Sequence, residues 1–246
     1  MALLEIDSIK YSIGQIDVIE NISFEADKNE FVSIIGPSGC GKSTLLRIIA
    51  GLIKPLQGSV FYKGAEINGP QREISFVFQD FGLLPWLTNI ENVKLGLSLF
   101  EMSEDEKEKK AEDVFKQMGL EGFENAYPNM LSGGMKQRVG IARAIVSAPT
   151  VLLMDEPFSS LDELTAETLR TDIVEMLKDT SMPVSCVLMV THNVEEAVEL
   201  SDKIVILSGR PSYVKEVKKV EMEHPRDKRS SEFNDTIDYI YKVLTE

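Results

Sequence analysis

No apolar run in this 246-residue chain approaches the ~20 residues that a helix needs to cross a bilayer. The longest, such as "FVSII", "VLLM" and "CVLMV", have the length of buried strands. The amino terminus lacks the basic-then-apolar pattern of a secretion signal. Cysteine is nearly absent: Cys40 and Cys186 make neither a disulfide framework nor a metal-ligand cluster, and they suit a reducing compartment. Positive charge is also short. Twenty-six basic against forty acidic residues give a net charge of −14, which opposes the basic face of a nucleic-acid binder. It leaves room for a local positive pocket that receives phosphate. Neither a repeat nor a low-complexity linker is present.

What the chain has instead is a succession of short strands and helices. The first eighty residues are strand-rich ("LLEIDSIKYSI", "VIENISFEA", "EFVSIIG", "GSVFYKG", "ISFVFQ"), with one helix from Lys42 to about Ala50. The next fifty turn helical. "TNIENVKLGLSLF" reads as a helix weakened by Gly96. Ser103 and Glu106 form a capping box for a helix that buries Ala111, Val114, Phe115 and Met118 and ends at Gly119. From residue 134 helices alternate with the apolar strands "VLLMDE", "CVLMV" and "KIVIL". Helical segments are expected at 164–179, 192–200 and 231–244, and an edge-like strand at 213–222. These elements predict an α/β core with an antiparallel β portion near the amino terminus and a helical subdomain inserted at about 85–135, leaving 1–84 and 136–246 as β portion plus core.

"GPSGCGKST", Gly36 to Thr44, has the spacing of a phosphate-binding loop between a strand and a helix. Gly36, Gly39 and Gly41 permit a tight wrap that turns backbone N–H groups inward. Lys42 is placed to reach the β- and γ-phosphates, and Ser43 to hold Mg²⁺. Cys40, just before the helix, is expected to react with thiol reagents and to be shielded by nucleotide. Two carboxylates emerge at the end of "VLLMDE", where open parallel sheets bind ligands. Asp155 would act through Mg²⁺ and Glu156 would polarise the attacking water. Gln79 and His192 follow strands in the same manner, as a neutral amide for Mg²⁺ or water and as a donor to the γ-phosphate. A second glycine-bearing helix start, "LSGGMKQRVGIARA", carries an apolar stripe of Met135, Val139, Ala142 and Val146. Residues alone imply a Mg²⁺-dependent P-loop nucleotidase.

In this order the motifs resemble the ATP-binding cassette ATPases over essentially the whole chain. The resemblance implies a P-loop NTPase with a RecA-like core, using ATP and Mg²⁺. It assigns Gly36, Pro37, Ser38, Gly39, Cys40, Gly41, Lys42, Ser43 and Thr44 to the Walker A loop and Gln79 to the Q-loop. Asp155 and Glu156 fall in Walker B, and His192 is the switch histidine. Tyr11 takes the position of the aromatic residue that stacks on adenine. Leu131, Ser132, Gly133, Gly134, Met135, Lys136 and Gln137 form the signature, which closes over the nucleotide held by a second copy. Ser160, Leu161 and Asp162 belong to the D-loop that links the two sites. Arg47 and Arg143 are given supporting roles.

The stretches "FVFQDFGLLPWLTNIENVKLGL", "MDEPFSSLDELTAETLR" and "LSGRP" resemble the nitrate, sulfonate and taurine importer group. That implies a homodimer on the cytoplasmic face of the membrane, bound to permease subunits and served indirectly by an extracytoplasmic binding protein, with no nucleic acid. Phe81, Leu83, Leu84, Trp86 and Leu87 crowd around Pro85, either as internal packing or as a groove for a short helix of the membrane subunit. Two rival functions are a cassette ATPase of an assembly complex, of the iron–sulfur type, and a nucleic-acid-associated clamp.

Overall fold

The computed structural model describes residues 2–178 and 184–246, which form two compact units, Met1–Gln71 with Ser185–Glu246 and Arg72–Val184. In the first unit the strands run in the order β5 (Ala65–Glu66), β4 (Gln57–Tyr62), β1 (Leu4–Ile13), β2 (Ile16–Ala26), β10 (Ser212–Lys219), β9 (Lys203–Leu207), β3 (Glu30–Ile35) and β8 (Cys186–Val190). β1, β2, β4 and β5 are antiparallel, and β1 and β2 alternate buried and exposed residues along much of their length. β8 and β9 are buried throughout and lie parallel to β3, which is why their sequences are unbroken apolar runs. Helix α1 (Lys42–Ile49) follows β3. α6 (Val194–Leu200) and α7 (Ser231–Thr245) close a core of Ile35, Val194, Val198, Ile206, Phe233 and Ile240.

β10 departs from the expected edge strand. It is paired on both sides, antiparallel to β9 and briefly parallel to β2 through Ser212 and Tyr213. Its sequence, "SYVKEVKK", reads as an edge because it is largely polar, and apart from the buried Ser212 its residues are half-buried or exposed. Such a pattern reports on faces, and says nothing of neighbours in the sheet.

In the second unit β6 (Ile74–Val77) and β7 (Val151–Asp155) pair in parallel. Between them come α2 (Asn89–Lys94), a 3₁₀ turn at Leu95–Leu97, α3 (Glu104–Gln117), a 3₁₀ turn at Pro128–Met130 and α4 (Gly133–Ile145); α5 (Glu163–Lys178) follows β7. Residue 179 of the expected helix 164–179 lies outside the described residues. The α3 capping box forms as expected, with Ser103 Oγ accepting from Glu106 N–H and Glu106 accepting from Ser103 N–H. Ala111, Phe115, Val139, Ala142 and Val146 join one buried cluster, with Val114, Met118 and Met135 packed against it. The fold is therefore an α/β P-loop, RecA-like core with an amino-terminal antiparallel β portion and an inserted helical subdomain.

The single helix expected over 88–100 stops at Lys94 and tightens into the 3₁₀ turn at Leu95–Leu97. Gly96 sits there because α4 passes too close for a side chain: a Cβ would stand 2.1 Å from the Arg143 carbonyl oxygen and 2.7 Å from Val146 Cγ1. Gly209, by contrast, has nothing within 4 Å of such a Cβ. Gly96→Ala should therefore destabilise the protein by ~1–3 kcal/mol through overpacking, although alanine is the better helix former. Gly209→Ala should be neutral or stabilise by a few tenths of a kcal/mol. Urea denaturation of both variants checks the contrast, and equal midpoints would contradict the close approach.

Candidate functional site

The phosphate loop connects β3 to α1. Pro37, Ser38 and Gly39 are exposed, while Lys42 is 6% exposed and folds its ammonium group back into the loop. Lys42 Nζ donates to the carbonyls of Gly36 (2.9 Å) and Pro37 (3.1 Å). These acceptors keep a buried cation satisfied and hold it at the centre of the turn. Gly41 has φ +103° and a Cβ there would lie 2.7 Å from Val18 Cγ1, so both conformation and space demand glycine. Ser43 and Thr44 are half-buried on the first turn of α1.

Cys40 differs from its expectation. It is 1% exposed, and burial pushes its thiol above the ordinary range against the lowering influence of Lys42. The loop-to-helix junction favours a thiolate only for a sulfur that points outward. This one points inward, where a Cβ on Gly36 would stand 3.1 Å from Cys40 Sγ.

His192 is exposed in the short link between β8 and α6. The link is braced around it. Thr191 Oγ1 donates to Glu196 Oε2 (2.6 Å) and accepts from Asn193 N–H (3.0 Å), and Asn193 caps α6. Tyr11 is half-buried on β1, opposite Ile19 of β2.

In the second unit Asp155 ends β7 and is 2% exposed. Glu156 follows with φ +47°, a left-handed conformation that costs a residue with a side chain ~1–3 kcal/mol. Ser159 steadies it, donating to the Glu156 carbonyl from its N–H (3.3 Å) and hydroxyl (3.0 Å). The Glu156 carboxylate accepts from Gln79 Nε2 at 3.3 Å, so a water-polarising candidate and the amide of the β6 end stand side by side.

Ser132 caps α4, its hydroxyl accepting from Met135 N–H at 3.3 Å. Ser132 and Gly133 are exposed, Met135 and Lys136 half-buried, and Leu131, Gly134 and Gln137 buried. Gly134 is the point of closest approach, since a Cβ there would be 2.2 Å from Thr165 Cγ2 of α5. Gly133 lies beside Ser160 and Leu161. The Gln137 amide is fully buried and makes no hydrogen bond. Ser160 and Asp162 are exposed, and the Asp162 carboxylate accepts from Thr165 N–H (3.1 Å) and hydroxyl (2.7 Å) at the start of α5. These hydrogen bonds hold its carboxyl below the usual carboxylate range.

Two residues emerge that composition and motif did not single out for these duties. Arg143 donates from Nη1 to Gly82 O (2.6 Å) and from Nη2 to Phe81 O (2.5 Å), so its guanidinium is committed to the segment after Gln79 and not to phosphate. Asn92, fully buried on α2, accepts from Leu84 N–H (2.8 Å) and donates to the carbonyls of Leu84, Leu87 and Thr88. It closes the "LLPWLT" loop as a ring. On that ring Trp86 is 68% exposed, whereas Phe81, Leu83, Leu84 and Leu87 are half-buried and Leu83 packs on the helical cluster. The apolar crowd thus divides into internal packing and one presented tryptophan.

Similarity to known proteins agrees with this chemistry. The sequence profile described as "ABC transporter" matches residues 19–159. An uncharacterized ABC transporter ATP-binding protein of Methanocaldococcus jannaschii is 45% identical over 235 residues, covering 96% of this chain and 86% of that protein. An aliphatic sulfonates import ATP-binding protein of Bacillus cereus is 42% identical over 224 residues, covering 90% of this chain and 86% of its own. Among solved structures, a dimeric ATP-binding cassette in a post-hydrolysis state, bound to ADP and Pi, superposes with a TM-score of 0.77 at 35% identity. It covers 89% of this chain and 100% of that one.

Two outcomes follow from the loop. Burial raises the thiol pKa of both Cys40 and Cys186, so each should react slowly with a disulfide reagent at pH 8, with or without nucleotide, and rapidly in denaturant. Fast labelling of native Cys40 would contradict its inward placement. As a phosphate donor Lys42 would make a charge-assisted contact worth ~1.5–3 kcal/mol, so Lys42→Ala should weaken binding of a fluorescent ATP analogue by on the order of 10²-fold. Unchanged affinity would remove Lys42 from the phosphate site.

Proposed function

Because this chain belongs to the ABC transporter family and is one of its ATP-binding, ATP-hydrolysing subunits, we propose that it drives import of a small anionic solute through a membrane permease. The relatives of the sulfonate, taurine and nitrate groups support that substrate class. No helix among the described residues is long and apolar enough to cross a membrane, and in this reading the path belongs to a separate permease subunit. Trp86, raised on the loop that Asn92 closes, is the apolar anchor best placed for a short helix of that subunit.

The contact between Gln79 and Glu156 carries the hydrolytic part of this reading. ATP is bound at Gly36–Thr44, with Lys42 neutralising the terminal phosphates and Tyr11 stacking on adenine. Ser43, Asp155 and Gln79 would hold Mg²⁺. All three offer hard oxygen donors, and no cluster of three or more His, Cys, Asp or Glu exists among the described residues. That donor set suits an ion that keeps waters and shares phosphate oxygens. Mg²⁺ would supply charge neutralisation across the β- and γ-phosphates. Glu156 orients and polarises the attacking water, and His192 donates to the γ-phosphate. Gln79 would lend its amide oxygen to Mg²⁺ or to water, and its Nε2 holds the Glu156 carboxylate at 3.3 Å.

The second glycine-bearing helix start serves another chain's nucleotide. Ser132 and Gly133 are open to solvent at the α4 amino terminus, where N–H groups and the helix dipole favour anions. Gly134 and the D-loop hold that terminus in place from within its own unit. Two copies packed head to tail would place each Ser132 against the other's γ-phosphate, so that hydrolysis removes the bridge between subunits.

Glu156→Gln retains size but removes the carboxylate, and should lower ATP turnover by roughly 10²-fold or more while leaving binding intact. The variant should accumulate as a dimer in Mg-ATP, seen by light scattering coupled to size exclusion, alone or with its permease. Adding Ser132→Arg should abolish that dimer while each monomer still binds ATP. Equal dimerisation of the single and double variants would refute closure in trans.

A further inference from the structure

Three hydrogen bonds close a ring around His192 without including it. Glu196 N–H donates to Asn193 Oδ1 (3.3 Å), Asn193 N–H donates to Thr191 Oγ1 (3.0 Å), and Thr191 Oγ1 donates to Glu196 Oε2 (2.6 Å). The ring ties the end of β8 to the first turn of α6, with His192 between its two corners at Thr191 and Asn193. Thr191 is 2% exposed, and its N–H donates to the Ile34 carbonyl (3.3 Å), two residues before Gly36. His192 is therefore carried on backbone anchored to the strand that leads into the phosphate loop, while its side chain stays exposed.

Neither the strand nor the helix needs this ring. The Asn193 side chain caps α6 on its own, accepting from both Glu195 and Glu196 N–H. Both glutamates put negative charge at the helix start, which the dipole favours, yet it is Glu196 that reaches back to Thr191. At position 191 a valine would extend the buried run "CVLMV" and spare a hydroxyl that burial obliges to find partners. We propose that Glu196 is a positioning residue for hydrolysis, acting through Thr191 to fix the backbone on both sides of His192 and so aim its imidazole at the γ-phosphate. This rests on the reading that His192 donates to that phosphate. The polarity of the ring explains its residue types. An ionised carboxylate only accepts, so the single hydroxyl proton of Thr191 must point at Glu196, which leaves a lone pair for Asn193 N–H. Without that acceptor the hydroxyl rotates and holds Asn193 N–H for only part of the time.

The test reads His192 directly. The chain has two histidines, so after isotopic labelling of histidine a His224→Asn variant assigns both ring signals in the magnetic resonance spectrum. The full chain is titrated with Mg²⁺ and a non-hydrolysable ATP analogue, and turnover is measured with ATP, alone or with its permease. With the ring intact, the His192 signal should shift on analogue binding and relax as an ordered group. Glu196→Ala should keep the fold, because alanine is a good helix former, and should hold analogue affinity within about twofold. It should turn the His192 signal into that of a mobile side chain and lower kcat by about tenfold with KM nearly unchanged. Thr191→Val should act in the same way, whereas Thr191→Ser, which keeps the hydroxyl, should retain kcat within about twofold. In a His192→Ala background, followed by single-turnover hydrolysis of radiolabelled ATP, neither Glu196→Ala nor Thr191→Val should bring a further loss, since both act through the imidazole.

Losses that multiply with that of His192→Ala overturn the proposal, because the ring then serves something other than His192. An unchanged kcat, or a His192 signal that stays ordered, in Glu196→Ala also overturns it. Equal losses in Thr191→Ser and Thr191→Val overturn it too, since the hydroxyl then plays no part. If turnover and analogue binding fall together in Glu196→Ala, Glu196 only supports the local fold and the positioning role is refuted. Full turnover in His192→Ala is a different failure: it refutes the reading of His192 as the donor to the γ-phosphate.

Discussion

Close packing along α4 is the constraint from which the second unit takes its form. At Gly96 and Gly134, neighbouring elements come within 2.1–2.2 Å of where a Cβ would be, closer than any side chain tolerates. Neither glycine is there for turn geometry, since neither has a positive φ. Interiors packed to this density transmit displacement instead of absorbing it. The 3₁₀ turn at Leu95–Leu97, the placement of the D-loop and the exposure of Ser132 all follow from where α4 can lie. The signature glycines thus have two duties. Gly133 stays open to solvent, whereas Gly134 is consumed in holding the helix against Thr165.

Much of this was legible in the sequence, and for a physical reason. The α3 capping box, the buried stripes of α3 and α4, and the apolar strands β7, β8 and β9 are local patterns, and local patterns are read from neighbouring residues. What was not legible depends on partners distant in the chain. β10 reads as an edge because its polar residues report exposed faces and are blind to which strands lie alongside. Cys40 reads as reactive because its place in the loop is local, whereas the direction of its side chain is set by the surrounding core. The Arg143 bonds span 61 and 62 residues, and nothing near position 143 announces them. The candidate site residues are singled out by motif, and their supports only by geometry.

Those supports share a logic. Each exposed residue assigned chemistry stands next to one held by neighbours: His192 between Thr191 and Asn193, which bond to Glu196 and cap α6, and Ser132 before the wedged Gly134. Trp86 rides a loop fastened by four hydrogen bonds to the buried amide of Asn92. A mobile side chain would lose conformational freedom on meeting phosphate or a partner helix, and that loss would be subtracted from binding. Rigid bases reduce the loss.

Glu156 shows where rigidity gives way to poise. Its left-handed backbone is unfavourable for a glutamate and persists because Ser159 bonds its carbonyl twice. Its side chain, in contrast, meets Gln79 through a hydrogen bond of 3.3 Å, long for a charge-assisted contact. The backbone is thus fixed, and the bond to Gln79 is a long one. The Gln79 amide meets that carboxylate as a neutral donor, and its oxygen remains an acceptor. A lysine there would bind Glu156 too tightly to leave, and a glutamate would repel it. The segment that carries Gln79 is in turn held two residues later by Arg143, which donates to the carbonyls of Phe81 and Gly82.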